Sequence, residues 1–440
     1  MTRLKLTVFG TGYLGATHAV CMAELGYDVL GVDVDQKKID MLAAGEVPFF
    51  EPGLEPLLRK NLEAGRLRFG TSYEEAAEIG DVHFLCVGTP QKKGEYAADL
   101  GYVDAVVTGL APFLTRECLV VGKSTVPVGT AQRLADQLAK EAPGEGVELA
   151  WNPEFLREGF AVEDTLRPDR LVFGVREGGR AEAVLREAFA PIIDNGTPVI
   201  VADYPTAELV KVSANAFLAT KISFINAMAE VCEATHADVK KLSEALSHDT
   251  RIGGRFLHAG LGFGGGCLPK DIRAFMARAG ELGVDQALSF LKEVDAINQR
   301  RRQRMVDLAR EAVGGSFRGT RIAVLGAAFK PNSDDIRDSP ALDVAAAIHQ
   351  QGGTVTVYDP QAMENAKRLH PELTYAGSAA EAARDADAVL HLTEWAEFRE
   401  MDPAALSDVV REKRIVDGRN ALEPAVWRAA GWTYRALGRP

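Results

Sequence analysis

The feature that most constrains the fold is a turn with three glycines near the start of this 440-residue chain. Residues 4–10 read as a β-strand, the turn GTGYLG begins at Gly10, and an apolar-periodic helix is predicted over 16–25. A strand, a glycine turn and a helix in this order form the phosphate-binding start of a Rossmann domain. Gly10 makes the tight turn, Gly12 lets a pyrophosphate approach the backbone, and Gly15 lets the helix pack against the strand.

The second strand of this motif ends in an acid. Residues 28–32 read as a strand, and Asp33 follows directly. A carboxylate at this position accepts hydrogen bonds from the ribose hydroxyls of an adenosine and repels a 2′-phosphate, so the predicted cofactor is NAD rather than NADP. Lys38 is expected to close over the same ribose.

Further strands of the N-terminal half lead to polar residues. The segments 81–87 and 118–122 read as strands, and they run into Thr89 and Thr125. Ligands of open parallel sheets bind off such strand ends, which would let both threonines touch the cofactor or the reacting carbon. A threonine after a strand is also a common helix cap. In the turn-rich segment that follows, Glu154 either orders or activates water or belongs to a solvated surface loop.

One cysteine stands in unusual surroundings. Cys267 lies between the glycine-rich segment Gly262–Gly266 and the residues Pro269, Lys270 and Asp271. A thiolate there can add to an aldehyde, which helps a nicotinamide cofactor to oxidise an alcohol as far as an acid, and Lys270 would favour the thiolate. If a helix begins near Pro269, Asp271 falls in its first turn and can receive a proton.

Composition limits the class of protein. The chain is 47% apolar and 25% charged, which is typical of a globular protein of two or three domains. Its net charge of −12 argues against a nucleic-acid partner. No apolar stretch reaches membrane-spanning length and no long apolar leader precedes the first glycine, so we expect a cytoplasmic location without a membrane partner.

The cysteines argue against disulfides and zinc. Their number is five, which is odd, and none has CxxC spacing, so neither a disulfide framework nor a metal site is expected. Cys21, Cys86, Cys118 and Cys232 lie in apolar runs and are predicted to be buried.

The middle of the chain predicts two long helices. Residues 206–234 are alanine-rich and apolar at helical spacing, without Pro or Gly, and predict a long buried helix that links the two halves. Lys211 and Asn215 share one face of it, where an anionic or sugar ligand would satisfy their polar groups. The second helix, over 285–313, carries the run Arg300–Arg302, which we expect to form a solvated face.

Residues 320–440 repeat the pattern of the start of the chain. A helix is predicted over 340–351, and strands are predicted over 321–326, 354–359 and 388–393. The first turn of this second Rossmann-like sheet lacks the GxGxxG pattern, so it should bind a nucleotide and not a second dinucleotide. Lys330 and Arg337 supply local cations there. The predicted fold class is therefore α/β, with two Rossmann-like doubly wound parallel-sheet domains joined by a long central helix.

With these residues in view, the chain closely resembles the UDP-glucose 6-dehydrogenases of the UDP-glucose/GDP-mannose dehydrogenase superfamily, from Leu4 to about Asp417. The segments that carry the resemblance are GTGYLG, FEPGLEPLL from Phe50, STVPVGT from Ser124, NPEFLREG from Asn152, GFGGGCLPKD from Gly262 and AFKPNSDDIRDSP from Ala328. The resemblance implies oxidation of the C6 alcohol of UDP-glucose to UDP-glucuronate with two NAD, through a thiohemiacetal and a thioester on Cys267.

The resemblance also implies roles for individual residues. Lys211 and Asn215 would hold the developing oxyanion, while Asp271, Thr125 and Glu154 would handle proton transfer and the hydrolytic water. The implied sugar-nucleotide contacts are Glu154, Phe155, Leu156, Arg157, Glu158, Lys211, Asn215, Phe256, Leu257, His258, Ala259, Gly260, Gly264 and Lys330. The implied NAD contacts are Gly10, Gly12, Gly15, Asp33, Lys38, Thr89, Thr125, Glu158, Lys270 and Arg337.

The resemblance further implies three domains and a homodimer packed through the central helices. The domains are an NAD-binding domain over 1–205, a central helical domain with the cysteine loop over 206–314, and a UDP-sugar-binding domain over 315–440. His258-Ala259, Gly266 and Leu268 depart from the commonest family pattern, which leaves GDP-mannose as an alternative substrate. Two further alternatives are an alcohol dehydrogenase that stops after one hydride, with a structural Cys267, and a non-catalytic nucleotide sensor.

Overall fold

The structure, a computed structural model, describes residues 3–440, which divide into two compact units. The first unit comprises residues 3–214 and Arg273–Gly283, and the second comprises Asn215–Ile272 and Val284–Pro440. Among the described residues, no helix is both long enough and apolar enough to cross a membrane.

The first unit is built on one sheet. Its strands within the described chain are β1 (Lys5–Phe9), β2 (Asp28–Val32), β3 (Leu67–Gly70), β4 (Val82–Leu85), β5 (Cys118–Gly122), β6 (Val147–Trp151), β7 (Leu171–Gly174) and β8 (Val199–Ala202). They lie in the order β3-β2-β1-β4-β5-β6-β7-β8. The pairs from β3 to β6 are parallel, β7 joins antiparallel to β6, and β8 is parallel to β7. The order of the first six strands is that of a Rossmann sheet.

Helices cover both faces of this sheet. They are α1 (Tyr13–Glu24), α2 (Gln36–Ala43), α3 (Leu54–Glu63), α4 (Tyr73–Ile79), α5 (Gly101–Leu110), α6 (Thr130–Glu141), α7 (Ala161–Leu166), α8 (Ala181–Ala188), α9 (Ala190–Ile193) and the start of α10 (Tyr204–Thr235), with a 3-10 turn at Ala111–Phe113. Leu6 and Val8 of β1 belong to the apolar cluster on one face, and Phe9 belongs to the cluster on the other. Burial on both faces is typical of a parallel sheet and explains the nearly continuous apolar strands.

The second unit repeats the topology. Its strands are β9 (Arg321–Leu325), β10 (Thr354–Tyr358), β11 (Thr374–Tyr375), β12 (Ala388–His391), β13 (Arg414–Asp417) and β14 (Thr433–Ala436). The order β11-β10-β9-β12-β13-β14, with parallel pairs, matches that of the first six strands of the first unit. The predicted α/β class with two Rossmann-like sheets is therefore confirmed.

Further helices follow α10 in the chain. They are α11 (Val239–Ser247), α12 (Leu268–Glu281), α13 (Phe290–Ala312), α14 (Pro340–Gln350), α15 (Met363–Leu369), α16 (Ala379–Ala382), α17 (Ala396–Arg399), α18 (Pro403–Ser407) and α19 (Pro424–Ala429), with a 3-10 turn at Asp285–Leu288. α10 confirms the predicted long helix, but it is buried along one side only. Phe217, Phe224 and Val231 are exposed on it.

The arginine run on α13 does not form the solvated face expected from the sequence. Arg300 exposes 52% of its side chain, whereas Arg301 exposes 0% and Arg302 exposes 7%. Arg301 donates to Glu233 at 3.2 Å, and Arg302 donates to Asp338 at 2.8 Å. The expectation was wrong for these two residues because successive helical residues point about 100° apart, so a run of three cannot share one face.

We expect Arg301→Leu to lower the free energy of unfolding of the second unit by about 1–3 kcal/mol, because Glu233 Oε1 loses its buried cation while Oε2 keeps Arg304. Arg300→Leu, one position away and half-exposed, is the matched control and should change it by less than about 0.5 kcal/mol. Urea unfolding followed by circular dichroism measures both. Equal midpoints for the two variants would contradict the assignment.

Candidate active site

The turn from Gly10 to Gly15 leaves one approach to the backbone open. Gly10 has a φ of +86°, and a Cβ on Gly15 would lie 1.7 Å from the carbonyl oxygen of Gly10. A Cβ on Gly12, by contrast, would meet no atom of the described chain within 4 Å. Gly12 stands at the N-terminus of α1, whose N–H groups and dipole favour a phosphate. The turn therefore fits a pyrophosphate.

Asp33 is held as a carboxylate beside this turn. Its Oδ2 accepts from the backbone N–H of Thr11 at 2.7 Å and lies 3.1 Å from the Lys38 ammonium. Burial acts to raise the pKa of Asp33, but hydrogen bonds from the N–H groups of Asp35 and Thr11 and from Lys38 outweigh it and hold the pKa below its ordinary value. An ionised carboxylate with Lys38 at its side suits the predicted contact with a ribose.

The corresponding acid of the second unit is enclosed by its own chain. Asp359 follows β10 as Asp33 follows β2, and it is buried. Its Oδ2 accepts from the N–H groups of Ala327 at 2.7 Å and Ala328 at 3.0 Å, and from the indole Nε1 of Trp395 at 3.0 Å. Its Oδ1 accepts from the N–H groups of Gln361 and Ala362, both at 2.9 Å, so both oxygens are occupied and Asp359 is 1% exposed, against 9% for Asp33. This geometry is a physical reason for the expectation that the second unit binds no dinucleotide.

The two threonines after β4 and β5 lie together. The Thr89 hydroxyl donates a hydrogen bond to the carbonyl oxygen of Thr125 at 2.7 Å. Thr89 is buried, and Thr125 is half-buried. Neither caps a helix, because α5 and α6 are preceded by Leu100 and Gly129. The structure therefore removes the helix-cap alternative for both.

Glu154 does not lie in a solvated loop. Its Oε1 lies 2.9 Å from the Lys211 ammonium, and its Oε2 accepts from the N–H of Leu156 at 2.6 Å. Both charged side chains are largely buried, and the Lys211 nitrogen lies 5.6 Å from the centre of the Phe155 ring. The first unit thus brings together a carboxylate and an ammonium that the sequence singled out separately.

Not every predicted substrate residue joins this group. Arg157 is exposed, and its guanidinium is bonded to Asp164 at 2.6 Å and lies over the Phe160 ring. Glu158, between Arg157 and Gly159, is half-buried.

Sequence reasoning missed a buried lysine behind this segment. Lys123 follows β5, and its ammonium donates to Asn152 Oδ1 at 2.8 Å and lies 5.6 Å from the centre of the Phe189 ring. Burial lowers the pKa of Lys123 to about 8, and Lys211 acts in the same direction. The available signal was a lysine at the end of a wholly apolar strand.

Lys123 should make stability depend on pH. Its folded pKa of about 8 lies below the ordinary value of 10.5, so in this window the unfolded chain binds the proton that the folded chain has lost. The contribution of Lys123 to stability therefore falls as pH falls from 10.5 to about 8, and it is constant below that range. From pH 8 to pH 9.5 the unfolding free energy of the wild type should rise by about 1–2 kcal/mol relative to that of Lys123→Met. Urea unfolding at both pH values measures this, and parallel pH profiles would contradict it.

The second unit presents the predicted nucleophile at a helix start. Cys267 is exposed and directly precedes α12, and its carbonyl oxygen accepts the N–H of Asp271 at 3.0 Å. The helix expected near Pro269 is confirmed, and Asp271 lies in its first turn. The N-terminus of a helix favours an anion, so this position favours a thiolate. Cys21, Cys86, Cys118 and Cys232 are buried, as predicted.

The Asp271 carboxylate contacts two of the other predicted residues. Its Oδ2 accepts from Asn215 Nδ2 at 2.6 Å, and the Lys270 ammonium pairs with its Oδ1. The Asp271 carboxylate is buried. We expected Lys270 to act on the sulfur, whereas in the structure its ammonium pairs with the Asp271 carboxylate.

Glycines let residues 262–267, the cysteine loop, lie close to Arg337 and Asp338 in the segment after β9. A Cβ on Gly264 would lie 2.1 Å from the carbonyl oxygen of Asp338, and one on Gly266 would lie 2.3 Å from Arg337 Cζ. Gly265, with a φ of +83°, donates its N–H to the Arg337 carbonyl oxygen at 2.8 Å. The loop with Gly264, a predicted substrate residue, therefore lies against Arg337, a predicted cofactor residue from a distant part of the sequence.

Arg419 is a second residue that sequence reasoning missed. It follows β13, and its guanidinium donates to the carbonyl oxygens of Leu392 at 2.8 Å, Gly262 at 2.9 Å and Phe329 at 3.1 Å. It thereby ties the cysteine loop to the turn that carries Lys330. Only the position of an arginine after a strand hinted at this role.

The predicted substrate segment Phe256–Gly260 also lies in the second unit. Leu257 and Ala259 are buried, His258 is exposed, and the Gly260 N–H donates to Asn226 Oδ1 at 2.9 Å. A Cβ on Gly260 would lie 2.8 Å from the carbonyl oxygen of Gly418, the residue before Arg419.

Three family models match this chain. They describe the NAD binding domain, the central domain and the UDP binding domain of the UDP-glucose/GDP-mannose dehydrogenase family, and they match residues 4–193, 205–300 and 323–424. The chain belongs to this family. It is therefore an NAD-dependent dehydrogenase, which confirms the cofactor and the family inferred from the sequence.

Individual members of this family are similar to the chain along its whole length. A UDP-glucose 6-dehydrogenase of Rhizobium meliloti (strain 1021) is 43% identical over 99% of this chain and 100% of that protein. The structure of a UDP-glucose dehydrogenase from the archaeon Pyrobaculum islandicum has a TM-score of 0.91 at 38% identity and covers 100% of this chain and 98% of that one. A GDP-mannose dehydrogenase from Pseudomonas aeruginosa has a TM-score of 0.53 at 27% identity and covers 99% and 100%.

Proposed function

We propose that this dehydrogenase oxidises the C6 alcohol of UDP-glucose to the carboxylate of UDP-glucuronate through an intermediate bound to sulfur. The observation that carries the proposal is the exposed Cys267 at the start of α12, one helical turn before a buried Asp271 that is bonded to Asn215. The 43% identity to a UDP-glucose 6-dehydrogenase along the whole chain supports the choice of reaction.

NAD, when bound, supplies the hydride acceptor for both oxidations. The open approach at Gly12 and the ionised Asp33 fit its pyrophosphate and its adenosine ribose. Its proposed contacts are Gly10, Gly12, Gly15, Asp33, Lys38, Thr89, Thr125, Glu158, Lys270 and Arg337.

Cys267 divides the second oxidation into two easier steps. Loss of one hydride and one proton from the alcohol gives an aldehyde, and the thiolate then forms a C–S bond to the aldehyde carbon. The oxygen takes a proton to give a thiohemiacetal. Loss of a second hydride and that proton gives a thioester, and water breaks the C–S bond to release the acid. One alcohol, two NAD⁺ and one water thus give one carboxylate, two NADH and three protons.

The neighbouring polar residues hold charge and protons in these steps. Asp271 accepts the proton of the alcohol, and Asn215 and Lys211 donate to the oxyanion that forms when sulfur adds. Glu154, oriented by Lys211 at 2.9 Å, holds the hydrolytic water, with Thr125 as a second hydroxyl contact.

We prefer UDP-glucose to GDP-mannose as the substrate because the UDP-glucose dehydrogenases compared above have higher sequence identity to this chain, 43% and 38%, than the GDP-mannose dehydrogenase has, 27%. The proposed contacts are Glu154, Phe155, Leu156, Arg157, Glu158, Lys211, Asn215, Phe256, Leu257, His258, Ala259, Gly260, Gly264 and Lys330. The cytoplasmic location expected from the sequence and the three-domain division at 205 and 314 stay predictions.

Hydride counting tests the reaction. Complete conversion of UDP-glucose by the wild type should yield two NADH per sugar, measured by absorbance against sugar consumed. GDP-mannose, run in parallel, should turn over at least tenfold more slowly. Cys267→Ala should stop at the aldehyde, with no more than one NADH per sugar consumed, and should lower the rate of acid formation by several orders of magnitude, because the aldehyde has no thiolate to receive it.

The alternatives predict other results. One NADH per sugar, with turnover unchanged in Cys267→Ala, would indicate an alcohol dehydrogenase with a structural cysteine. Faster turnover of GDP-mannose would reassign the substrate. Binding of UDP-glucose without any NADH would indicate a nucleotide sensor.

The proposed homodimer is supported by an apolar stripe on α10. Phe217, Phe224 and Val231 are 67%, 48% and 53% exposed and recur every seven residues, so they share one face of the helix. A stripe of large exposed apolar side chains is typical of an interface, and two copies of one helix face can pair by two-fold symmetry.

Phe224→Glu should convert the proposed dimer to a monomer, because pairing would bury a charge at the centre of this stripe. Light scattering after size-exclusion chromatography measures the mass. Leu369→Glu, at an exposed apolar position on α15, is the matched control and should leave the dimer intact. A wild type that elutes as a monomer, or two variants with the same mass, would contradict the proposed interface.

A further inference from the structure

The segment FEPGLEPLL has no part in the chemistry proposed above, yet it supplies a buried carboxylate. Glu51 Oε2 accepts from the Tyr13 hydroxyl and from the N–H of Gly159 at 2.7 Å, and its Oε1 accepts from the N–H of Ala161 at 2.7 Å. The Gly159 N–H also points to the Tyr13 hydroxyl, at 3.1 Å. One carboxylate therefore joins two motifs that are far apart in the sequence.

The first of these motifs is the dinucleotide turn. Tyr13 lies within GTGYLG and is the first residue of α1, directly after Gly12. Its ring packs on Phe49 at 4.9 Å between centroids. Burial is the largest cause that raises the pKa of the Tyr13 phenol, and Glu51 raises it further. The phenol therefore stays protonated and donates a hydrogen bond to the carboxylate.

The second motif is the proposed substrate segment, which contains Glu154 and Glu158. Gly159 closes it with a φ of +80°, and Ala161 begins α7. Lys123 holds the opposite end through Asn152. Buried charges of opposite sign thus fix the segment at both ends.

We propose that Glu51 is a positioning residue that couples the dinucleotide turn to the substrate segment, so that the cofactor and the nucleotide sugar strengthen each other's binding. A ligand that shifts the turn around Tyr13 also shifts Glu51, and through the Gly159 N–H it shifts the segment. The reverse must hold to the same extent, because coupling between two binding sites is reciprocal. The inference rests on the proposed role of residues 154–158 in binding the sugar.

Binding of NADH with and without saturating UDP-glucose tests this coupling, because NADH cannot accept a hydride and no turnover occurs. In the wild type, UDP-glucose should lower the dissociation constant of NADH by about fivefold or more. Tyr13→Phe removes only the hydroxyl, and Glu51→Gln keeps the size of the side chain. Each should reduce the factor to less than twofold, and the double variant should lose no more than either alone.

Glu208→Gln is the matched control. Glu208 is also a buried carboxylate, and it accepts from the N–H groups of Gly129 at 2.8 Å and Ala131 at 2.7 Å without contacting Tyr13 or Gly159. It should keep the wild-type factor. Should Glu51→Gln fail to fold, Tyr13→Phe still decides the question.

Three outcomes would overturn the inference. They are a wild type that produces two NADH per sugar but shows no change in NADH affinity with UDP-glucose, a Tyr13→Phe variant that keeps the full factor, and an equal loss in Glu208→Gln. The first of these leaves the proposed function standing, whereas a wild type without turnover of UDP-glucose removes the proposed function itself.

Discussion

A carboxylate after the second strand accepts the backbone N–H groups of the first turn in both sheets, and the loops at that edge of each sheet are arranged around this turn. Asp33 holds Thr11, and Asp359 holds Ala327 and Ala328. A buried N–H without an acceptor would cost about 1–3 kcal/mol, so the acid stabilises a turn that the parallel topology requires. In the first unit the acid also meets a cation and suits a ribose. In the second it is closed off by an indole.

Buried charges then hold the segments that carry chemistry. Lys123 and Glu51 fix the two ends of the segment with Glu154, and Arg419 ties the cysteine loop to its neighbours through three carbonyl oxygens. A buried ionic group is expensive to leave unpaired, so each such residue strongly favours the one loop conformation that satisfies it. This rigidity is what a reaction with several proton transfers needs, since its groups must stay within hydrogen-bond reach of one another.

Much of the fold and part of the candidate site could be predicted because the signals are local. The glycine turn, the acid after β2 and the first turn of α12 follow from neighbouring residues, and each is confirmed. The arginine run on α13 was predicted wrongly because a run of charge does not reveal which member faces a buried partner. Arg301 meets Glu233, which lies 68 residues earlier in the chain.

The sequence by itself determined the first strand, turn and helix of the N-terminal sheet and the cofactor class, because backbone preferences of glycine and the periodicity of apolar residues act over a few positions. The family followed from the resemblance of its motifs. The tertiary structure decided the partners of buried polar groups. Tyr13 meets Glu51 across 38 residues, and Glu51 meets Gly159 across 108. A polar group that the fold buries needs a hydrogen-bond partner, and the partner comes from whichever segment the fold brings next to it. No local pattern in the chain encodes that choice.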